Sequence, residues 1–475
     1  MMNRRICLLA AIAIVTALAI VQPATLGANG PADAVLSERI DEFVGAEMKR
    51  QRVPGVAVGI VKDGAVVKAQ GYGVANLEHD VAVTPDTIFE SGSLGKQFTA
   101  AAVMLQVEDG KLSLSDTIDR FFPDAPAAWH GITVRHLLTH TSGLPDYVSG
   151  MIDERRDYTE DELAHFAYKL TLEFTPGSRW NYSNTGYVLL GIIVRKVSGA
   201  FYGDVLAERV FRPIGMKTAR VISEADIVPH RAAGYRLVKG EVKNQQWVSP
   251  TLNTTADGSL YFSLRDMLAW DGAVRSGAVL KGDSWREILT PLTLTSGKSY
   301  PYGFGWGIET RGGQPLHEHG GSWQGFKTQF SRFIGEKLSI VVLANLAEAD
   351  PAVFADGIAA IVNPALAVPP LTAIEDRDPA VTKRAAALLE SARAGNLVPA
   401  DFAYLRAGFF PSGAKRMEEQ LRTLGAVQKL SLVGREDLGD DRVFTYMVTF
   451  VSGTRRYTVA LAPDQRLSRF SLSVP

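Results

Sequence analysis

The sequence predicts an α/β fold, in which an antiparallel sheet is flanked by a helical region, followed by a small C-terminal α+β domain. Strand-like alternation occurs near both ends of residues 35–365, whereas the middle of the chain, to about residue 275, reads mostly as helices and loops. Strands at both ends of a helical insertion predict one sheet that the two terminal segments close. Pro364, Pro369 and Pro370 then mark a linker.

Length and composition exclude several classes of protein. At 475 residues the chain is longer than one ordinary domain. Its 46% hydrophobic and 21% charged residues are typical of a well-packed globular protein. The net charge of −1 provides no basic excess for binding nucleic acid and no acidic tail. We therefore expect no nucleic-acid partner.

The first 28 residues have the pattern of an export signal. Arg4 and Arg5 precede an apolar run over residues 6–21, and small residues follow it, with a cleavage site near Ala28. The alternative is a retained membrane anchor, because the run is only slightly short for a membrane span. Cleavage also removes Cys7, the only cysteine of the sequence. We expect a periplasmic or secreted mature protein with no stable membrane anchor.

Periodicity and turn residues predict the elements that follow. Apolar residues at helical spacing cover residues 34–50. Strands at 55–61 and 65–72 flank Asp63-Gly64, which is a strong signal for a two-residue hairpin.

A helix is expected to begin at Ser93 and to extend to about Glu108. Strand character returns at residues 327–334 and 338–345, and a helix follows at about 353–362. These strands supply the C-terminal half of the predicted sheet.

Residues 372–475 are predicted to form a separate α+β accessory domain. Helices are expected at residues 379–393 and 413–424. Three or four alternating strands follow, of which 443–451 and 455–461 are the clearest.

Ser93 and Lys96 form an S-x-x-K pattern at the start of a predicted helix. Residues three apart lie on one helical face, so the hydroxyl and the ammonium can meet. A serine hydroxyl becomes a nucleophile when a base removes its proton, and a desolvated lysine can be that base. The pattern recurs at Ser412 and Lys415, where chance is a sufficient explanation.

The surrounding sequence distinguishes the first pattern from the second. From Phe89 the chain reads F-E-S-G-S-L-G-K-Q-F-T-A-A-A, which resembles the serine β-lactamase-like superfamily, in the branch of class C β-lactamases, D-specific peptidases and esterases. Further stretches match in order: T-V-R-H-L-L-T-H-T-S-G-L-P-D (133–146), F-T-P-G-S-R-W-N-Y-S-N-T-G-Y (174–187), G-S-L-Y-F-S-L-R-D-M-L-A-W (258–270), Y-G-F-G-W-G (302–307) and H-G-G-S-W-Q-G-F (319–326).

The resemblance covers about residues 35–365 and implies a β-lactamase-like fold and acyl transfer to water, with no metal or organic cofactor. It implies that Ser93 is the nucleophile and Lys96 its acylation base. Tyr182, in a Y-x-N element, would relay protons to the leaving group and activate the deacylating water. Asn184 would bind a substrate carbonyl or amide.

His319, Gly320 and Gly321 occupy the place of the family's K-T-G strand motif. The resemblance implies that the backbone N–H groups of Ser93 and Ser322 form the oxyanion hole, where negative charge develops on the carbonyl oxygen. His319, Gly321 and Ser322, together with Asn184, are therefore the expected substrate-binding residues.

Several of these residues have structural alternatives. Tyr182 is also compatible with an ordinary core tyrosine, and His319 with a structural histidine. Trp306, Trp323 and Phe326 either line the acyl pocket or belong to the core.

His136 and His140 are four residues apart on a predicted helix, which is a spacing that could bind zinc. The glutamate of H-E-x-x-H is missing, because Leu137 stands at that position, and this argues against a metal. The sequence also contains no G-x-S-x-G motif, which argues against an α/β-hydrolase.

The resulting hypothesis is an exported serine hydrolase that cleaves ester or amide bonds through an acyl-enzyme on Ser93. Small esters or D-amino-acid peptides are favoured over β-lactams, because His319 and Gly320 replace the lysine charge and the threonine hydroxyl of the third motif. The alternatives are β-lactamase or penicillin-binding activity, a binding protein of low turnover on the same fold, and a metallohydrolase that uses His136 and His140.

Overall fold

The structure is a computed structural model that describes residues 31–147, 152–222, 226–250, 252, 255–404 and 409–473. The predicted export signal lies outside these residues. The described helices are α1 (Pro31–Gln51), α2 (Lys96–Glu108), α3 (Val134–Leu138), α4 (Glu160–Ala167), α5 (Asn184–Ser198), α6 (Tyr202–Leu206), α7 (Leu264–Ser276), α8 (Gly282–Ile288), α9 (Pro351–Val362), α10 (Pro379–Arg393) and α11 (Ala414–Leu424).

The strands number eighteen in the part of the chain that the structure describes. They are β1 (Gly55–Lys62), β2 (Ala65–Asn76), β3 (Val81–Ala82), β4 (Ile88–Glu90), β5 (Arg220–Val221), β6 (Tyr235–Val238), β7 (Glu241–Asn244), β8 (Leu260–Ser263), β9 (Leu292–Thr293), β10 (Ser299–Tyr300), β11 (Gly307–Arg311), β12 (Gln314–Trp323), β13 (Phe326–Phe333), β14 (Leu338–Ala344), β15 (Val427–Leu438), β16 (Asp441–Phe450), β17 (Gly453–Leu461) and β18 (Leu467–Ser473).

The main sheet has seven strands in the order β11-β12-β13-β14-β1-β2-β3, with antiparallel neighbours. β1 pairs with β14, with Val58 opposite Val342, so the two ends of the first domain close the sheet. Asp63 and Gly64 have φ angles of 50° and 88°. Positive φ at both positions is what a two-residue hairpin of type I′ requires. The predicted sheet and its first hairpin are confirmed.

Strand β1, in the interior of this sheet, is buried on both faces. Val56, Val58 and Ile60 of β1 belong to a core that α1 and α9 cover on one side. Ala57, which points to the opposite face, belongs to the larger core of the helical region. Side chains alternate between the two faces of a strand, so a strand buried on both sides is apolar along its whole length.

Helix α2 lies at the centre of the helical region and is buried on all sides. Three consecutive alanines, residues 100–102, are completely inaccessible to solvent. A helix that is apolar all round belongs in a core. The burial therefore holds the N-terminal end of α2, where Lys96 lies, in a fixed position beside the sheet.

The C-terminal residues form their own four-stranded antiparallel sheet in the order β15-β16-β17-β18. Alternate residues of β16, including Tyr446, face a core that contains Leu389 of α10 and Leu421 of α11. Arg179 of the first domain reaches this unit and donates from Nη2 to both carboxylate oxygens of Asp441, at 2.7 and 2.9 Å. The predicted α/β fold with a small C-terminal α+β unit is confirmed.

No helix in the described part of the chain combines the length and the apolar character needed to cross a membrane.

Candidate active site

Ser93 lies in a single turn of 3₁₀-helix, Gly92–Gly95, that leads directly into α2. The α-helix thus begins at Lys96, three residues later than the sequence predicted. Lys96 Nζ nevertheless donates to Ser93 Oγ at 3.2 Å, so the helical spacing brings the two groups together as expected.

Lys96 is wholly inaccessible to solvent and its ammonium has two further acceptors. It donates to Asn184 Oδ1 at 2.6 Å and to the backbone oxygen of Asp257. Burial lowers the pKa of Lys96 to about 8, against the opposing effect of the Asp257 and Asp146 carboxylates. A lysine in this state can release a proton near neutral pH, which an ordinary surface lysine cannot.

Asn184 is the first residue of α5 and is oriented by Asp146. Its Nδ2 donates to the two carboxylate oxygens of Asp146, at 3.3 and 3.1 Å. A carboxylate only accepts, so this contact assigns the nitrogen of the amide and turns Oδ1 toward Lys96. Ser183 precedes the helix, and its Oγ accepts from the Gly186 N–H as an N-cap.

Tyr182 lies against Lys96, with its ring centroid 4.9 Å from Nζ. The buried hydroxyl lies near Ser93, although the two groups do not form a hydrogen bond of regular geometry. Burial raises the pKa of Tyr182 well above its ordinary value, and the nearby Ser93 side chain only partly opposes this effect. The group is therefore a neutral phenol at neutral pH, which can donate a proton.

Behind Tyr182, two histidines are linked through a tyrosine. The ring centroids of His140 and Tyr182 are 4.1 Å apart with 30° between the planes, and His140 Nδ1 accepts from the Ser183 N–H at 3.1 Å. His140 Nε2 is 3.2 Å from Tyr302 Oη, which is 3.0 Å from His319 Nε2. The neutral His140 then carries its proton on Nε2 and donates to Tyr302, whose hydroxyl donates to His319.

His319 completes this chain by donating from Nδ1 to the Gly320 oxygen at 2.6 Å. Burial, assisted by the charge of Lys96, lowers the pKa of His319 to about 4. The side chain is therefore neutral at neutral pH. It does not replace the permanent charge that a lysine carries in the third motif.

The predicted helical pair of His136 and His140 is wrong. Helix α3 ends at Leu138, and His140 has a φ of 57°, so the two rings do not share a helical face. His136 instead accepts the Thr133 N–H at Nδ1 and closes a capping box at the start of α3. Among the described residues, no group of three or more His, Cys, Asp or Glu side chains could hold a metal ion.

The end of β12 approaches the Ser93 turn so closely that only glycine fits at two positions. A Cβ on Gly321 would lie 2.0 Å from the Ser91 oxygen. One on Gly92, whose φ is 50°, would lie 2.3 Å from the Ser322 nitrogen. The backbone nitrogen of Ser322 thus lies beside the Ser93 turn. Its role in the oxyanion hole stays a prediction.

A cavity of about 70 Å³ lies in front of Ser93. Asn184, Ser322 and Trp323 line it. Trp306 and Phe326 are instead buried in the core, with their rings against Phe330 and Phe89 respectively. Trp323 is therefore the one of these three aromatic residues that lines the cavity in front of Ser93.

A family model described as Beta-lactamase matches residues 40–362, which is more than half of the chain. The chain belongs to the beta-lactamase family. The S-x-x-K pattern of Ser93 and Lys96 lies inside the matched region. The second pattern, Ser412 and Lys415, lies outside it, and both of its side chains are exposed.

Two curated relatives and one solved structure are similar to this beta-lactamase family member. Penicillin-binding protein 4* of Bacillus subtilis is 30% identical over 60% of this chain and 68% of its own length. A D-aminopeptidase of Gluconobacter oxydans is 30% identical over 65% of this chain, which spans 59% of that relative. The D-amino acid amidase of Ochrobactrum anthropi superposes with a TM-score of 0.60 at 26% identity, over 70% of this chain and 97% of the amidase.

The family member is a serine hydrolase of the β-lactamase-related type. Its fold brings Ser93, Lys96, Tyr182 and Asn184 together, with the β12 residues beside them. Sequence reasoning missed the residues that orient these groups: Asp146, Asp257, His140 and Tyr302. Asp146 is the last residue of the matched segment 133–146, so this segment could have pointed to it as a site residue.

Proposed function

We propose that this protein is an exported serine hydrolase that cleaves ester or amide bonds through an acyl-enzyme on Ser93. The observation that carries the proposal is the 3.2 Å contact between Ser93 Oγ and the buried Nζ of Lys96, whose pKa is lowered to about 8. A nucleophile within hydrogen-bond reach of a base of matched pKa is the arrangement that acyl transfer needs.

In the acylation step, neutral Lys96 accepts the proton of Ser93 as Oγ forms a bond to the substrate carbonyl carbon. The carbonyl oxygen becomes negative and is stabilised by the N–H groups of Ser93 and Ser322. The bond to the leaving group then breaks as the Tyr182 phenol protonates the departing oxygen or nitrogen. The Lys96 ammonium returns a proton to the tyrosine, which leaves both groups neutral beside an acyl ester on Ser93.

Deacylation reverses these roles with water in place of the leaving group. Water forms a bond to the acyl carbon while its proton passes to the Tyr182 and Lys96 pair. Ser93 Oγ leaves and recovers a proton from Lys96. Asn184, which Asp146 holds and which lines the pocket in front of Ser93, is the proposed contact for the acyl group.

Substrates without a carboxylate at the third motif are the proposed class, namely small esters or D-amino-acid peptides and amides. His319 is neutral at neutral pH and Gly320 has no hydroxyl, so the motif lacks the groups that hold a β-lactam carboxylate. The names of two relatives, a D-aminopeptidase and a D-amino acid amidase, support substrates built from D-amino acids.

The proposed location is the periplasm or the exterior of the cell, on the basis of the charged start and apolar run in residues 1–28. The proposed partner is a small ester or peptide substrate. Neither nucleic acid nor a stable membrane anchor is part of the proposal.

Penicillin-binding or β-lactamase activity is the second candidate. It is favoured by the 30% identity to penicillin-binding protein 4* of Bacillus subtilis. A binding protein of low turnover on the same fold differs from both, because it would be acylated without releasing product.

The direct test compares hydrolysis of an activated butyrate ester by the wild type, Ser93→Ala and Ser412→Ala. Loss of such a nucleophile costs on the order of 10⁶ in turnover in another serine hydrolase, and we expect a loss to background here. Ser412 is the serine of the second, exposed S-x-x-K, and its variant should retain wild-type rates. Wild-type turnover by a folded Ser93→Ala protein would contradict the proposal.

A further inference from the structure

The two domains enclose an aromatic cavity of about 480 Å³ beside Tyr182. On the side of the first domain, the rings of Trp180 and Tyr300 stack at 4.7 Å with 15° between their planes. The C-terminal domain supplies the opposite aromatic wall: Phe402, Tyr404 and Phe470. This volume lies within the range of about 300–1,000 Å³ that small-molecule sites occupy.

Unpartnered polar atoms accompany this aromatic lining. Trp180 Nε1 and Ser468 Oγ are buried, have no hydrogen-bond partner among the residues that the structure describes, and belong to residues that line the cavity. A buried polar atom without a partner is costly, and a bound molecule that supplies one removes that cost. An apolar cavity with a few polar groups is the usual composition of a ligand site.

Tyr182 connects this cavity to the reaction centre, because it lines the cavity and its ring centroid lies 4.9 Å from Lys96 Nζ. Asn184 and Trp323 line the small pocket in front of Ser93, whereas Tyr182 lines the interdomain cavity. Tyr182 protonates the leaving group in the proposed mechanism, so the leaving group must lie on the side of this tyrosine. The inference therefore rests on the proposed function.

Contacts between the domains hold the two walls of the cavity together. Arg179 pairs with Asp441, and its guanidinium lies 4.6 Å from the ring centroid of Tyr404. Asp441 lines the cavity, and Arg179 compensates its charge. Arg469 of β18 also lines the cavity, and it interacts with the Tyr300 hydroxyl through its charge and a side-chain hydrogen bond.

We propose that the C-terminal domain completes a leaving-group subsite, and that this interdomain cavity accepts an aromatic group of the substrate. The domain is then part of the specificity apparatus of the hydrolase. Aromatic leaving groups gain apolar contact there that short aliphatic ones cannot make.

The test uses two esters that share an acetyl group, ethyl acetate and 2-phenylethyl acetate, whose alcohols have similar acidity. The wild type should use the aromatic ester with a kcat/KM about tenfold higher or more, as expected for apolar contacts in a pocket. Ser468→Phe fills the cavity from β18 and should bring the ratio of the two kcat/KM values close to one. Ser473→Phe, on the same strand and outside the cavity lining, should keep the wild-type ratio.

A second variant, Leu438→Trp, fills the cavity from β15. It keeps the test decisive if Ser468→Phe does not fold. The inference would be overturned if the wild type used the two esters with equal kcat/KM, or if both filled variants kept the preference of the wild type for the aromatic ester. Calorimetric measurement of 2-phenylethanol binding tests the subsite independently of the proposed hydrolase function. If neither ester is hydrolysed but the alcohol binds the wild type and not Ser468→Phe, the hydrolase mechanism fails and the subsite stands. If the alcohol does not bind the wild type even at high concentration, the subsite fails.

Discussion

Asn184 connects Lys96 to Asp146: its Oδ1 lies 2.6 Å from Lys96 Nζ, and its Nδ2 donates to the Asp146 carboxylate. The buried lysine is thus coupled to a carboxylate through one amide. The charge of Asp146 raises the pKa of Lys96, although burial lowers it by more. The protonation of the proposed base therefore depends on a residue that does not line the pocket in front of Ser93.

The first prediction is the pH dependence of hydrolysis. If neutral Lys96 accepts the Ser93 proton, kcat/KM should rise with pH through about 8, because the inactive ammonium form predominates below that pKa. Asp146→Asn removes a negative charge that favours the ammonium, so its rise should occur at lower pH. Profiles of kcat/KM against pH for an activated ester measure both effects.

Asp283→Asn is the matched control, since Asp283 is exposed on α8 and its loss should leave the profile in place. A profile that is flat between pH 6 and 9, or an Asp146→Asn profile that moves to higher pH, would contradict the assignment of Lys96 as the base.

The second prediction is a preference for esters over cephalosporins. A charged hydrogen bond is worth about 1.5–3 kcal/mol, or roughly one to two powers of ten in rate. Neutral His319 and Gly320 cannot provide it to a β-lactam carboxylate, whereas a neutral ester loses nothing. We expect a higher kcat/KM for an activated butyrate ester than for a chromogenic cephalosporin. Equal or better use of the cephalosporin would show that the third motif holds a carboxylate in another way.

The third prediction concerns the boundary between the domains. The C-terminal core contains residues 381–470, and its sheet is separate from the main sheet. A chain that ends at Leu371 should remain soluble and should still hydrolyse ethyl acetate. It should also lose any preference for 2-phenylethyl acetate, because one wall of the aromatic cavity is removed. Circular dichroism checks its folding, and an unfolded product would mean that the first domain depends on the second.

Sequence patterns predicted the elements whose determinants are local. The Asp63-Gly64 turn fixes the first hairpin, and the spacing of Ser93 and Lys96 brings those side chains together. The same reasoning failed at His140, because α3 ends two residues earlier and nothing in the pattern indicated that end.

The groups that orient the site could not be predicted, since they come from distant parts of the chain. His140 and Tyr302 are separated by 162 positions, and Lys96 and Asp257 by 161. The aromatic cavity likewise exists only because two separately packed domains meet there. Spacing within one segment carries no information about such contacts.

The most direct test of the central claim is to trap the acyl group. The protein is mixed with an activated butyrate ester, quenched with acid within the first turnover, digested and analysed by mass spectrometry. The proposed mechanism predicts one butyryl group on the peptide that contains Ser93, absent from Ser93→Ala and present in Ser412→Ala. Hydrolysis by a wild-type protein that carries no acyl group at any time point, or carries it on another residue, would contradict the acyl-enzyme on Ser93.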